Sequence, residues 1–280
     1  MIDPEALVLA SLCFREQERR LGDLVSWWAH AGANLTSVHR LRTLSGRFPA
    51  GSGPDAFEQF ARLALDAGDR RWEGHATPSV SWVSRSGKGP GELALVHPST
   101  LWLRLRAGFG VGAKADAFAF LLGLRGARAS VKVISSATGY SDVSIRKAVS
   151  EMALAGLVRE TRGRPAEYFT PSRDWARALS LHSPGKDPDT DPEVPRWRCW
   201  AELYAYLAHV AEWSRLQDSQ VPNSPRVLAS KARDILEQFR RPFTFNEIPV
   251  PDPTRFRGPE IVHCLAETTA ILSDWLKNHL

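Results

Sequence analysis

The sequence predicts a mainly α-helical fold with a small β-hairpin near its centre. Three observations predict it. Apolar residues recur at three- and four-residue steps through most of the chain, the period of a buried helix face. Strictly alternating segments, which mark half-buried strands, are nearly absent. One stretch, Leu101 to Leu179, carries helix-stop and hairpin signals in an order that organises the rest. The expected layout is an N-terminal helical region over residues 1–98, a central unit over 99–181, a Pro- and Asp-rich linker over 182–195 and a C-terminal helical bundle over 196–280.

The first helix starts at Asp3-Pro4, because proline suits the first helical position. Leu7, Leu9, Leu12, Leu21, Leu24 and Val25 carry its apolar pattern to about Trp28. The charged interior, Arg15 to Arg20, reads as a solvated face with ion pairs three and four residues apart. Further helices are expected over Leu35–Leu44 and over Pro54–Ala67, the latter with Phe57, Phe60, Leu63 and Leu65 inward. Residues 76–91 are rich in Ser, Gly and Pro and read as a long surface loop, with a short strand at Val80–Val83.

Ser99 or Thr100 caps a helix that begins at Leu101. Gly108, Gly110 and Gly112 invite a phosphate-loop reading. Their spacing matches neither G-x-G-x-x-G nor G-x-x-x-x-G-K-[ST], and no strong strand precedes them, so a turn is expected. The next helix, Lys114–Leu124, points Phe118, Leu121 and Leu122 inward.

A short helix then runs to Thr138. Gly139 stops it, since glycine takes the left-handed conformation without a Cβ clash. Ser141 or Asp142 caps the following helix. Ile145, Val149 and Met152 share one face of that helix, and Ser144, Arg146, Lys147 and Ser150 lie on the other. Gly156 ends it. Val158–Thr161 and Glu167–Thr170 are hairpin strands joined by the basic turn Arg162-Gly163-Arg164-Pro165-Ala166. Trp175 and Leu179 belong to a helix beyond.

Helix, turn, helix and a basic-tipped hairpin read as a winged helix-turn-helix. The run from Gly139 through Val158, with Gly163-Arg164-Pro165 and Tyr168-Phe169, resembles the winged-helix bacterial transcription regulators of the MarR/ArsR type. The resemblance extends over the central region alone, and no residue in it is unique to one family. It implies double-stranded DNA as the partner and a homodimer that reads two half-sites.

Charge points the same way. Thirteen of the 36 Lys and Arg but six of the 31 Asp and Glu fall within residues 101–178, so the net charge of +5 lies there and the remainder is slightly acidic. A basic module on a near-neutral body is the electrostatic footprint of nucleic-acid binding. The sequence therefore predicts a DNA-binding transcriptional regulator, a repressor or autoregulator. Its helix Asp142–Ala155 enters the major groove, and the hairpin tip meets a neighbouring groove or phosphates. Ser141, Ser144, Arg146, Lys147, Ser150, Arg162 and Arg164 are the expected DNA-binding residues. Tyr140 packs in the turn or touches a phosphate. Asp142 counts against DNA unless capping explains it. Two alternatives stay open: a protein-interaction module, such as an antitoxin or an accessory subunit of a partner enzyme, and a relic packed inside a larger enzyme.

Beyond the linker, which holds Pro184, Pro188, Pro192 and Pro195, helices are expected over Trp197–Leu216, Pro225–Phe239 and Pro259–Leu280 as a small bundle. The connection Pro242–Arg257 covers one end. Trp27, Trp28, Trp197, Trp200, Trp213 and Trp275 read as core or dimer seam. The helical flanks are where a second copy, an effector or a protein partner would bind.

Other function classes find little support. Cys13, Cys199 and Cys264 are far apart and form no paired motif, which argues against a disulfide scaffold or a zinc site and fits a reducing cytoplasm. The N-terminus has no basic n-region, and no run reaches 18 apolar residues, so neither a secretory signal nor a membrane span is expected. The eight His are scattered and no catalytic motif is present. Asp187, Asp189 and Asp191 sit in the linker, where no pocket desolvates them. The expectation is a protein without enzymatic activity, cofactor or metal.

Overall fold

The computed structural model describes residues 1–76, 93–181, 192–217 and 224–279. The strand expected at Val80–Val83 and most of the linker expected over 182–195 lie outside the described residues. The described chain is mainly helical with one small sheet. No described helix is long and apolar enough to cross a membrane.

The N-terminal region folds as α1 (Pro4–Cys13), α2 (Arg19–Ala31), α3 (Val38–Ser45) and α4 (Ser52–Asp66). Asp3 caps α1 by accepting from the Ala6 N–H at 3.0 Å, with Pro4 in the first turn. The single helix expected from Asp3 to Trp28 is two. The break falls in the charged run: Phe14 closes α1, and the Glu18 carboxylate restarts the chain by accepting from the Arg20 N–H. No proline or glycine marks this break, which is why periodicity ran through it.

The central unit follows as α5 (Leu101–Phe109), α6 (Ala113–Gly123), β1 (Ala129–Ser130), α7 (Val131–Thr138), α8 (Asp142–Leu154), β2 (Arg159–Glu160), β3 (Glu167–Phe169) and α9 (Ser172–Ala178). Gly110, with φ 81°, turns α5 into α6. Gly139 closes α7 in the left-handed region at φ 79°. Ser141, rather than Asp142, caps α8 by accepting from the Ser144 N–H at 3.2 Å. The hairpin was expected to have two strands. A third, β1, joins it, and the sheet order is β1-β3-β2, antiparallel throughout. Two residues are too few for periodicity to reveal β1.

The last part contains α10 (Trp200–Gln217), α11 (Pro225–Gln238), α12 (Arg240–Phe245) and α13 (Ile261–Lys277). These helices share a core with the N-terminal ones: Leu9, Leu12, Phe60 and Trp72 are buried in the same cluster as Tyr206, Phe243, Leu265 and Leu272. The first and last parts of the chain thus close over each other. An ion pair between Arg47 and Glu202 crosses the same seam.

A second core belongs to the central unit, with Trp102, Phe118, Phe120, Ile134, Ile145, Val149 and Tyr168. Trp197, expected to open a helix, lies ahead of α10 and packs into this second core, its ring 4.5 Å from Trp102 and 5.0 Å from Phe120. Its N–H donates to the Gly123 carbonyl at 3.0 Å. That approach requires glycine, since a Cβ at 123 would lie 2.7 Å from the Trp197 nitrogen.

Candidate nucleic-acid interface

α8 is built so that one face is core and the other is solvent. Ile145, Ala148, Val149 and Met152 are buried. Ser141, Ser144, Arg146, Lys147 and Ser150 are exposed. Arg162 and Arg164 are exposed in the loop between β2 and β3. The base of that loop is closed by the Thr161 N–H donating to the Glu167 carbonyl at 2.9 Å and the Glu167 N–H donating to Thr161 Oγ1 at 3.0 Å. No ion pair or hydrogen bond joins the side chains of Arg146, Lys147, Arg162 or Arg164 to another described residue.

Tyr168 of β3 connects the hairpin to the helix. It is buried, and its hydroxyl donates to Glu160 Oε1 at 3.4 Å. Burial and then the Glu160 carboxylate raise its pKa, while the nearby Ser150 hydroxyl and Arg146 guanidinium pull the other way. The sheet therefore sits beside the Arg146–Ser150 face of α8.

Within the face, Ser141 and Ser144 hydroxyls lie 2.9 Å apart and are partly committed to each other and to the cap. Asp142 is exposed in the first turn of α8, where the helix dipole favours an acid. Glu151 pairs with Lys114 of α6 at 2.6 Å, and that hydrogen bond, with a smaller contribution from Lys147, lowers its pKa. Reading the sequence missed Lys114. The turn at Gly110 and Gly112 lies against α8, and together with Lys114, Ser144 and Lys147 it forms a shallow open groove. These residues are some thirty positions apart in sequence. The only signal was the basic residue two positions after the last glycine.

Behind this surface lies a cluster that sequence reading also missed. Five charged side chains, Asp3, Glu5, Arg40, Arg106 and Asp116, are at most 2 % exposed. Arg40 donates to both Asp3 oxygens at 2.6 Å, to Glu5 Oε2 at 3.0 Å and, through Nε, to the Thr138 carbonyl at 2.9 Å. Arg106 donates through Nε and Nη2 to Asp116 at 2.7 and 2.8 Å, through Nη2 to Glu5 at 3.0 Å and through Nη1 to the Leu35 carbonyl at 2.9 Å. Trp102 Nε1 donates to Asp116 at 2.7 Å. Burial alone would raise the Asp116 carboxyl, but the Arg106 guanidinium, followed by Arg40 and Trp102, brings it below the ordinary carboxylate value. Against the cost of burial, the carboxylates of Asp3 and Glu5 hold Arg40, and those of Asp116 and Glu5 hold Arg106, above the usual arginine pKa.

Tyr140 belongs to this network. Its hydroxyl donates to Asp116 Oδ2 at 3.1 Å and lies 3.2 Å from Ser37 Oγ. Of its two readings, the structure supports packing in the turn. Through Thr138 and Tyr140 the network grips the α7–α8 turn and joins it to α1, α3, α5 and α6. Every guanidinium nitrogen of both arginines has a partner, and all five N–H groups of Arg106 are used, so these charges hold the fold together. Among the described residues, no group of His, Cys, Asp and Glu is placed to hold a metal ion.

Compared with known proteins, the chain matches no family model, no curated protein and no solved structure.

Proposed function

We propose that the central unit is a winged helix-turn-helix and that the protein is a sequence-specific DNA-binding regulator of transcription. α8 lies in the major groove and the β2–β3 loop reaches phosphates or an adjacent groove. The observation that carries this reading is the exposed set Arg146, Lys147, Arg162 and Arg164, which make no ion pair with a described residue, on α8 and on the loop of the hairpin whose Tyr168 lies near Arg146 and Ser150. Exposed arginine and lysine side chains are the groups that phosphates and guanine edges attract. The order α6-β1-α7-α8-β2-β3 supports it as well. A homodimer reading two half-sites suits this role, with the helices outside residues 99–181 available for the contact.

The experiment is retention on sheared genomic DNA at low salt, then sequencing of the retained fragments, with light scattering of the protein alone and on DNA. The reading expects enrichment of a short motif and a mass above the 31.1 kDa of one chain. Retention without enrichment would leave only non-specific binding, and no retention would remove the reading.

A second reading has one observation in its favour. Leu154, at the end of α8, is 91 % exposed and Val143, at its start, 79 %. Apolar ends around a basic middle suit a protein partner with an acidic, partly apolar surface. Under that reading the chain fails to retain DNA and the same α8 residues govern binding to that partner.

A further inference from the structure

We infer that the cavity between α1, α2 and the start of α5 is a binding site for a small, uncharged, flat aromatic molecule carrying one hydrogen-bonding group. The cavity holds about 290 Å³. That is the lower end of ligand pockets, which run roughly 300–1,000 Å³, so the occupant is small. Its walls are Leu7 and Val8 of α1, Leu24, Trp27 and Trp28 of α2, and Leu103 of α5. No charged side chain lines it, and a charged ligand would lose its hydration there without a partner. The two indole rings, 6.2 Å apart and tilted by 53°, favour a planar partner. Leu7 and Leu24 are 42 % and 47 % exposed at the mouth, apolar surface that an occupant would cover.

One polar group points to what the occupant carries. Ser11 lines the cavity and is 8 % exposed, yet its hydroxyl meets no hydrogen-bond partner among the described residues. A hydroxyl in the wall of a cavity with no protein partner is free to meet one on a ligand. The other two hydroxyls at the edge are already used: Ser99 Oγ lies 2.6 Å from His97 Nδ1, and Thr100 Oγ1 donates to the His97 carbonyl at 2.7 Å. Among the lining side chains described, Ser11 alone is left to accept from a donor on the ligand, since the other group without a described partner, Trp27 Nε1, can only donate. A concave site of this size with a single free side-chain acceptor takes a small molecule rather than a helix of another chain. α1, whose Leu7, Val8 and Ser11 face the cavity, also supplies Glu5 to the buried charge network.

The test is calorimetric titration of the full chain with indole, with indene, which has the same shape without the N–H, and with indole-3-acetate, which adds a charge. Indole is expected to bind once per chain, indene about tenfold more weakly for want of the hydrogen bond, and indole-3-acetate not measurably. Ser11→Ala should weaken indole about tenfold and leave indene unchanged. Leu24→Glu, a change at a half-exposed rim position, should abolish binding of both while circular dichroism shows an unaltered fold. Absence of saturable heat from indole and indene at millimolar concentration would overturn the inference. Undiminished binding to Leu24→Glu, or an indole affinity indifferent to Ser11→Ala, would overturn it equally.

Discussion

Arg40 and Arg106 are the same side chain as Arg146, Arg162 and Arg164, under opposite conditions. The first two are buried, and every guanidinium nitrogen has a partner. The other three are exposed and make no ion pair with a described residue. A buried charge is tolerated only when it is paired and fully hydrogen-bonded, and such a cluster fixes the mutual position of the elements it joins. An exposed, unpaired arginine contributes little to stability and remains available to a partner. The difference divides these arginines into two that hold the α7–α8 turn from beneath and three that face solvent on α8 and the hairpin loop.

The largest expected effect lies in the buried set. Arg106→Ala leaves Asp116 buried without its ion-pair partner and Glu5 with Arg40 alone, and breaking such a pair costs roughly 3–5 kcal/mol. Denaturant unfolding of the variant should show that loss. The pH dependence follows from Asp116. Its folded pKa lies below the unfolded value of 3.8, so its contribution is fully present above that value and is lost as pH falls through the lower folded one. An acid titration of the parent should therefore be flat near neutrality and fall only in strong acid. Asp116→Asn should remove that part of the acid limb.

A smaller effect is expected for Arg146→Ala. Stability should stay within about 0.5 kcal/mol of the parent. Affinity for the selected DNA sequence should drop by roughly 1–3 kcal/mol, confined to one base position, if the arginine reads guanine. Fluorescence anisotropy with single-base variants of the duplex would show whether the loss depends on sequence. Arg162→Ala/Arg164→Ala should instead weaken all sequences alike, with the salt slope reduced by about 0.9 for each phosphate contact removed. The smallest effect is a gain. Asp142→Asn removes a carboxylate from the approach to α8 and should tighten binding a few-fold, against a loss of about 0.3–1 kcal/mol in helix stability from the dipole.

The contrast between the two clusters also explains what could be read in advance. Gly139, Ser141 and the Ile145–Val149–Met152 spacing are local signals, and they place α8 and its exposed face without knowledge of the rest. The buried network is not local. Glu5 and Arg106 are 101 residues apart, and Arg40 and Thr138 are 98 apart. Each member, taken alone, resembles a solvated charge on an amphipathic helix. One signal existed. α6 is apolar on every side, with Ala115 through Gly123 all buried, so Asp116 within it had to be buried and therefore paired. The shared core of α1–α4 with α10, α11 and α13 was hidden for the same reason, since amphipathic faces do not name the faces they meet.

The most direct measurement is a salt titration of duplex binding by the parent and by the variant carrying Arg146→Ala, Lys147→Ala, Arg162→Ala and Arg164→Ala together, both verified to unfold at the same denaturant concentration. The account predicts a parent affinity that falls steeply with salt and a variant that binds far more weakly with a slope reduced by about 0.9 per lost phosphate contact. Equal affinity and equal slope in the two proteins would contradict it.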